Sequence, residues 1–276
     1  MTYVTPAPYR GRIQAVIFDW AGTTVDYGCC APAGVFVRVF AQEGVVVTPA
    51  QARGPMGLMK RDHIRAILQL EPVAQQWGHA HGRLWTEADV EALYQAFIPL
   101  QLACLADFAD VIPGTLHLVS SLRAAGVKLG STTGYNREMM ELYAPLVARN
   151  GYAPDVWVCS TDVSAGRPYP WMLYANAEKL GVYPPAAIVK IGDTVPDIQE
   201  GRNAGVWTMG LAQSGNELGL TRAEAEALST AELRERLDPI YGRLYAAGAH
   251  YVVDGLWAVE PVLEEINHRL AAGEQP

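Results

Sequence analysis

The sequence predicts an α/β protein: a doubly wound, mostly parallel sheet with a small helical domain inserted in its first crossover. Three observations predict it. Short apolar runs at residues 13–18, 127–130, 156–159 and 188–191 each end at residues suited to chemistry rather than packing. Stretches of helical length separate most of these runs, the alternation expected of βαβ units. That alternation breaks once, from about residue 27 to residue 107, where only helical patterns occur.

In chain order, the first strand covers residues 13–18 (IQAVIF) and stops at Asp19, with Gly22, Thr23, Thr24 and Gly28 to turn the chain. A helix over 32–43 follows, closed by Gly44. Thr48-Pro49 starts another, a threonine cap with proline at the first helical position. After the interruption at Gly54-Pro55-Met56-Gly57, a helix over 58–70 turns Ile64, Ile67 and Leu68 to one side. Thr86 with Asp89 forms a capping box that opens a long helix to about residue 106. Alternation resumes at Val111, with a helix over 116–125 and strands at Val127, Val156 and Ile188. Two more strands are expected at 205–209 and 249–253, with a capped helix from Ser229 and Glu232 to about Tyr245. The expected domains are residues 1–26 with 108–276, and the helical insertion 27–107.

A chain of 276 residues, half of them hydrophobic, can hold one large domain or two modest ones. No apolar run reaches the ~20 residues of a membrane-spanning helix. The opening MTYVTPAPYRGR has no apolar stretch of signal-peptide type. Four cysteines, two of them adjacent at Cys29 and Cys30, make no disulfide framework, so a reduced, cytoplasmic protein is expected. The net charge of −8 argues against nucleic acid or a membrane surface as partner. An anionic substrate then needs a local cationic pocket. Arg53, Lys60, Arg61 and Arg65 concentrate positive charge, although such a run is ordinarily a solvated helix face.

An acidic side chain at the carboxyl end of a buried strand stands where open α/β sheets bind ligands. Asp19 is so placed in Ile17-Phe18-Asp19-Trp20-Ala21-Gly22-Thr23-Thr24, a pattern that by itself also fits an Asx turn. The second strand runs into the hydroxyls of Ser131-Thr132-Thr133-Gly134. Gly166-Arg167-Pro168 supplies a lone cation after the third. The fourth ends at Gly192-Asp193-Thr194, with Asp197 following on. Nucleophile, hydroxyl, cation and paired carboxylates in this order resemble the haloacid dehalogenase (HAD) superfamily. The resemblance implies a HAD-like, Rossmannoid core and an Asp19 that attacks phosphorus or carbon. It implies Mg²⁺ held by Asp19, the Ala21 carbonyl and Asp193, because an anion attacking an anionic centre needs its charge neutralised. Arg167, either Thr132 or Thr133, and the turn at Gly22 are expected to bind the phosphoryl group. Thr194 and Asp197 are expected to support them, Asp197 by orienting Arg167 or by a water-mediated metal contact. An exposed first-turn aspartate favoured by the helix dipole is the plainer reading of Asp197.

HAD phosphatases usually carry a second aspartate two residues after the nucleophile, which protonates the leaving oxygen. Here Ala21 places a methyl group there. Either the enzyme is crippled or its leaving group needs no such proton, as a stabilised carbon leaving group would not. Lys60 offers that stabilisation: a lysine amine condenses with an aldehyde, and the iminium is an electron sink for the adjacent bond. Arg61, Arg65 and the helix N-terminus are expected to lower its pKa.

The runs DWAGTTVDYGC (19–29), MGLMKRDH (56–63), STTGYNREMM (131–140), GRPYPWM (166–172) and GDTVPDIQEGRNAG (192–205) are similar to the phosphonatase family of that superfamily. This resemblance implies a Schiff base at Lys60, an aspartyl-phosphate at Asp19, and Mg²⁺-dependent hydrolysis of the small phosphonate phosphonoacetaldehyde in 2-aminoethylphosphonate degradation. It points to Cys29, Met56, Gly57, His63 and Tyr135 as pocket residues, and to a homodimer formed through the cap. Taken singly, Cys29 and Met56 read as core filler, and His63 and Tyr135 as packed or surface rings. The dimer is expected to use the helix over 32–43, since Val35, Phe36, Val39 and Phe40 exceed what a small cap needs to cover itself. Burial within the cap is the alternative. Competing readings are another HAD hydrolase, a phosphatase or dehalogenase, and a non-catalytic ligand-binding regulator. Ala21 counts against the first, Arg167 with the metal carboxylates against the second, and the presence of both Asp19 and Lys60 against the third. Residues 71–83 give no functional handle, and His79 and His81 read as surface residues.

Overall fold

The computed structural model describes residues 8–276, so the first seven residues of the segment weighed as an export signal lie outside it. Six strands form one sheet: β1 (Ala15–Phe18), β2 (Lys128–Thr133), β3 (Val156–Cys159), β4 (Ile188–Gly192), β5 (Trp207–Leu211) and β6 (Tyr251–Val253). Their order is β3-β2-β1-β4-β5-β6, and every neighbouring pair is parallel. The chain leaves β1 toward one side of the sheet and later returns to the other, so a switch point lies between β1 and β4. Ligand crevices form at such points, outside the carboxyl ends of the strands. Phe18 stands level with Ser131 and with Ile191. Asp19, Thr132 and Asp193 therefore leave the sheet along one edge.

Strand β1 shows why the runs are continuously apolar rather than alternating. Its four residues are all fully buried, because the sheet is covered on both faces. Ala15 and Ile17 pack with α8 (Trp171–Leu180) and with Ala204 at the end of α9 (Val195–Ala204). Val16 and Phe18 pack on the other side with α6 (Thr115–Ala124) and α12 (Glu260–Ala272). Helix α7 (Arg137–Arg149) follows β2, and α10 (Arg222–Glu226) and α11 (Thr230–Ala246) lie between β5 and β6.

Between β1 and α6 the chain is helical: α1 (Cys30–Gln42), α2 (Pro49–Arg53), α3 (Lys60–Leu68), α4 (Glu71–His81) and α5 (Glu87–Cys104). Capping explains several boundaries. Asp89 accepts the Thr86 N–H at 2.7 Å at the start of α5, and Glu232 accepts the Ser229 N–H at 2.9 Å at the start of α11. The five helices share a core of Phe36, Val39, Phe40, Ile64, Ile67, Trp77, Leu93 and Phe97 that runs on into the core above the sheet.

Two expectations need correction, and one segment left without a reading gains a structural place. The apolar side of α1 is no free surface: Val35, Phe36, Val39 and Phe40 are at most 2 % exposed, against α2 and α5 and beneath His63 of α3. Burying each stabilises the insertion by roughly 1.5–3 kcal/mol and leaves nothing for a partner on that side. Val111 begins no strand, since it makes a single bridge to Val25. Residues 71–81, given no role from sequence, form α4, whose Val73 and Trp77 are buried in the helical core.

Candidate active site

Asp19 follows β1 directly, its N–H donated to the Ile191 carbonyl at 2.9 Å and its carbonyl held by Thr24 Oγ1 at 3.2 Å. Arg167 meets it from the loop after β3. Nη2 donates to Asp19 Oδ1 (2.6 Å), to the Thr132 carbonyl (2.9 Å) and to Thr132 Oγ1 (2.8 Å), Nε donates to Glu200 Oε2 (3.0 Å), and Asp197 Oδ1 lies 3.1 Å away. A buried Lys190, from β4, backs this pair, with Nζ 2.8 Å from both Asp197 Oδ1 and Thr132 Oγ1 and 3.4 Å from Glu200 Oε2. Burial alone would lower the Arg167 pKa, but Asp197, Asp19 and Glu200 outweigh it and hold the guanidinium charged. Burial likewise opposes the Asp197 charge, yet Arg167 and Lys190 bring its pKa below the ordinary value. Asp197 is thus fully buried and paired, not an exposed first-turn residue.

Asp193 and Asp19 are less well compensated. Burial and the neighbouring carboxylates raise both, Asp193 well above the usual range. Asp193 accepts only neutral donors, Thr23 Oγ1 at 3.1 Å and the Asn216 N–H at 2.7 Å. Among the described residues, Asp19, Asp193 and Asp197 form the one cluster of three or more side chains that could hold a metal, with oxygens within 4.8 Å of one another. In this floor four buried carboxylates (Asp19, Asp193, Asp197, Glu200) face two buried cations (Arg167, Lys190). A deficit of two charges and an all-oxygen donor set fit a hard divalent cation. Asp197 is already engaged, through Oδ1 with the two cations and through Oδ2 with Thr194 Oγ1 at 2.5 Å, leaving Asp19 and Asp193 as the carboxylates best placed for it. Gly22 is required beside them: at φ 89° it passes so close that a Cβ would lie 2.3 Å from Asp193 Oδ2.

Opposite this floor stands Lys60, the first residue of α3 and 5 % exposed. Its Nζ lies 4.9 Å from the Tyr135 ring centroid, 5.6 Å from Phe36 and 6.0 Å from Phe97. Burial lowers its pKa to about 8, with Arg167 adding to the effect and Cys29, Asp19 and Asp26 opposing it. The expected contribution of Arg61 and Arg65 is corrected. Arg61 pairs with Glu91, and Arg65 with Asp62 and Glu87, on the outer face of the insertion, too solvated to act on the amine. Asp26, in left-handed conformation, accepts the N–H groups of Cys30 and Ala31 at the start of α1, and burial raises it to about 7.

Asp19, Arg167 and Lys60 open onto one small cavity, shared by Ala21, Cys29, Met56, Gly57, Thr133, Tyr135 and Thr194. Pro32 and Gly134, unnoticed in the sequence, complete its wall. Burial raises the Cys29 thiol and the Tyr135 phenol well above their usual values, so both stay neutral. Of the residues expected to bind substrate, Gly22, Thr132 and His63 lie outside the cavity lining. Thr132 Oγ1 accepts from Arg167 and Lys190 and donates to Glu200 Oε2 at 3.1 Å, which exhausts its capacity. His63 packs behind Lys60, stacked on Phe36 at 3.8 Å, with Nε2 2.8 Å from the Ala52 carbonyl; burial and Lys60 depress its pKa well below the ordinary value. His81 stacks on Trp77 and meets Glu43 at 3.7 Å, away from the cavity.

Lys190 and Glu200 escaped sequence reasoning, although each carried a signal. A lysine inside a strand buried on both faces must have an acidic partner, and Glu200 stands three residues after Asp197 on the same helix face. Chemically, the site joins a carboxylate held against a guanidinium, a place for a divalent cation, and an amine with a lowered pKa across a small cavity.

Comparison with known proteins gives the family of the chain. The sequence pattern of haloacid dehalogenase-like hydrolases matches residues 13–205. Phosphonoacetaldehyde hydrolase of Syntrophobacter fumaroxidans is 48% identical over 99% of both chains, and that of Bacillus cereus is 49% identical over 92% of this chain and 97% of its own. The crystal structure of a phosphonoacetaldehyde hydrolase-like protein from Oleispira antarctica superimposes with a TM-score of 0.97 at 40% identity over the whole of both chains. With these likenesses over essentially its full length, the chain belongs to the haloacid dehalogenase-like hydrolases and, within them, to the phosphonoacetaldehyde hydrolase family.

Proposed function

We propose that the chain hydrolyses the P–C bond of phosphonoacetaldehyde to acetaldehyde and phosphate, as part of 2-aminoethylphosphonate degradation in the cytoplasm. The observation that carries this reading is the buried Lys60 amine, at about pKa 8, facing Asp19 and Arg167 across one cavity. The Lys60 amine condenses with the aldehyde, releasing water and forming an imine that is protonated to the iminium. Asp19 then attacks phosphorus. The P–C bond breaks and its electron pair flows into the iminium, giving an enamine on Lys60 and an aspartyl-phosphate on Asp19. Protonation of the enamine carbon and hydrolysis release acetaldehyde and the free amine, while water cleaves the aspartyl-phosphate to phosphate. No acid is needed beside the nucleophile, which agrees with the methyl group of Ala21.

Arg167 binds the phosphoryl oxygens and holds Asp19, and Thr133 supplies the hydroxyl, since that of Thr132 is fully engaged. Mg²⁺, held by Asp19, Asp193 and the Ala21 carbonyl, would neutralise charge between the attacking carboxylate and the phosphonate. Cys29, Met56, Gly57 and Tyr135 keep the cavity small and apolar around the amine, and His63 fixes the Lys60 turn from behind. Residues 27–107 act as a cap whose helices carry this wall. A homodimer belongs to the proposal, but its apolar surface is sought elsewhere than α1. Trp171 (43 % exposed), Tyr174 (42 %) and Tyr183 (81 %) form an aromatic edge along α8 that suits a second copy.

The test is Lys60→Arg, which keeps the charge but cannot form an imine. P–C cleavage should vanish, and borohydride with acetaldehyde should label wild-type Lys60 alone by peptide mass spectrometry. Comparable cleavage by the variant, or an adduct on another lysine, refutes the mechanism.

A further inference from the structure

The loop after β5, residues 212–219, belongs to none of the sequence motifs, yet it touches the candidate metal centre and the helical insertion at once. Asn216 donates its backbone N–H to Asp193 Oδ2 at 2.7 Å. Its side chain and Arg53, the last residue of α2, hold each other reciprocally. Asn216 Nδ2 donates to the Arg53 carbonyl at 3.1 Å, and Arg53 Nη1 donates to Asn216 Oδ1 at 3.2 Å. The same Nη1 donates to the carbonyls of Gly28 (2.6 Å) and Cys29 (3.4 Å), where the chain enters the insertion. Ser214 adds two ties, with Oγ donating to the Gly22 carbonyl at 3.0 Å and its carbonyl accepting the Gly28 N–H at 2.8 Å. Close approach is required along the loop: a Cβ on Gly215 would lie 2.3 Å from Asp193 Cβ, and one on Gly219 would lie 2.8 Å from Arg53 Nε.

We propose that Arg53 and Asn216 are positioning residues that set how Asp193 presents itself to a divalent cation, according to the placement of the helical insertion. The direction of Asp193 Oδ2 depends on the Asn216 N–H, and the place of that N–H depends on the grip of Arg53. Arg53 stands three residues before Met56, so the wall of the cavity and the metal carboxylate are fastened to one link. Occupancy of the cavity and occupancy of the metal centre are thereby coupled through the chain as well as through direct contact. The inference rests on the reading of Asp193 as a metal ligand, and the experiment separates the two.

Mg²⁺ is titrated calorimetrically into the full chain without substrate, for wild type, Arg53→Gln, Arg53→Lys, Asn216→Ala, the Arg53→Gln/Asn216→Ala double variant and Asp193→Asn, with thermal midpoints recorded for each. Arg53 is only half-buried and the Asn216 backbone N–H survives substitution, so these variants are expected to fold. Arg53→Gln and Asn216→Ala should each weaken Mg²⁺ binding roughly three- to tenfold, the loss expected from one or two hydrogen bonds. The double variant should bind no more weakly than the worse single one, because both break the same link. Arg53→Lys should fall between wild type and Arg53→Gln, since the contacts to Gly28, Cys29 and Asn216 all come from the single Nη1, which an ammonium replaces only from a shorter stem. Unchanged Mg²⁺ affinity in Arg53→Gln, with binding lost in Asp193→Asn, overturns the coupling and leaves the ligand assignment standing. Additive weakening in the double variant overturns the coupling as well. Unchanged affinity in Asp193→Asn overturns both.

Discussion

Trapping of Lys60 by acetaldehyde and cyanoborohydride should follow the free-amine fraction, with an apparent pKa of about 8. The burial that lowers this amine from 10.5 to about 8 comes from a wall of Tyr135, Phe36 and Phe97. At that value roughly one lysine in ten is neutral at pH 7 and half at pH 8, against about one in three thousand at pH 7 for an ordinary lysine. The trapping rate should rise about fivefold from pH 7 to pH 8 and level off above about pH 9. Acetaldehyde carries no phosphoryl group, so the profile reads Lys60 without the step at Asp19. Because the Asp19 charge opposes the lowering, Asp19→Asn should move the same profile to lower pH. The acidic limb of kcat/KM for phosphonoacetaldehyde should share the midpoint. Stability carries the corresponding sign. Between about pH 8 and 10.5 the unfolded chain binds a proton at this lysine that the folded chain does not. The group's contribution to stability therefore rises with pH across that window. Lys60→Met should remove that slope from chemical denaturation curves. A trapping rate that still climbs in proportion to hydroxide beyond pH 10 would show a solvated lysine and refute the reasoning.

Asp19→Asn should abolish turnover with the fold intact and weaken Mg²⁺ binding, measured by steady-state assay, circular dichroism and calorimetry. Thr133→Val should lower kcat/KM roughly ten- to a hundredfold, the worth of one hydrogen bond to a charged group, and lower the melting temperature slightly, because the buried Tyr135 N–H loses its acceptor. Thr132→Val should instead lower stability by about 1–3 kcal/mol, because Arg167, Lys190 and Glu200 each lose a buried partner. Trp171→Glu with Tyr183→Glu should give a monomer by light scattering where the wild type runs as a dimer. An unchanged dimer would remove the α8 edge as the interface.

Where candidate side chains just past a strand would meet was legible. Asp19, Thr133, Arg167 and Asp193 each follow an apolar run, and parallel pairing then carries them to one edge of the sheet. Capping boxes at Thr86 and Ser229 fixed helix starts for the same reason: the signal is local. Partners chosen by tertiary packing were not legible. The apolar side of α1 announced a surface to be covered, but only the fold reveals that α2 and α5, with His63 of α3, cover it. Arg61 and Lys60 are adjacent in sequence, yet one faces Glu91 in solvent and the other an apolar cavity, because successive helical positions point about 100° apart. Asn216 is the extreme case, since part of its contact is made by a backbone N–H that nearly any residue could supply.

The division of the site between sheet and insertion follows from two chemical needs that one surface cannot meet. On the proposed mechanism, a carboxylate that attacks an anion requires concentrated positive charge, and a lysine that condenses with an aldehyde requires an amine that burial keeps unprotonated. The sheet edge satisfies the first need, with Arg167 and Lys190 locked among carboxylates and room left for a divalent cation. The insertion goes far to satisfy the second by burying Lys60 beside Phe36 and Phe97, with Tyr135 of the sheet domain completing the ring of aromatics. Bringing the two halves together then needs contacts that do not themselves upset either balance. Arg167 Nη1 donating to the Gly57 carbonyl at 3.3 Å, and Arg53 bound to Asn216, meet that condition, because in each a cation meets neutral oxygen acceptors across the boundary. A carboxylate in place of either acceptor would draw Arg167 from Asp19 or add a fifth acidic group to the floor. Backbone and amide oxygens are therefore the acceptors that let a highly charged floor and an apolar wall close on one another.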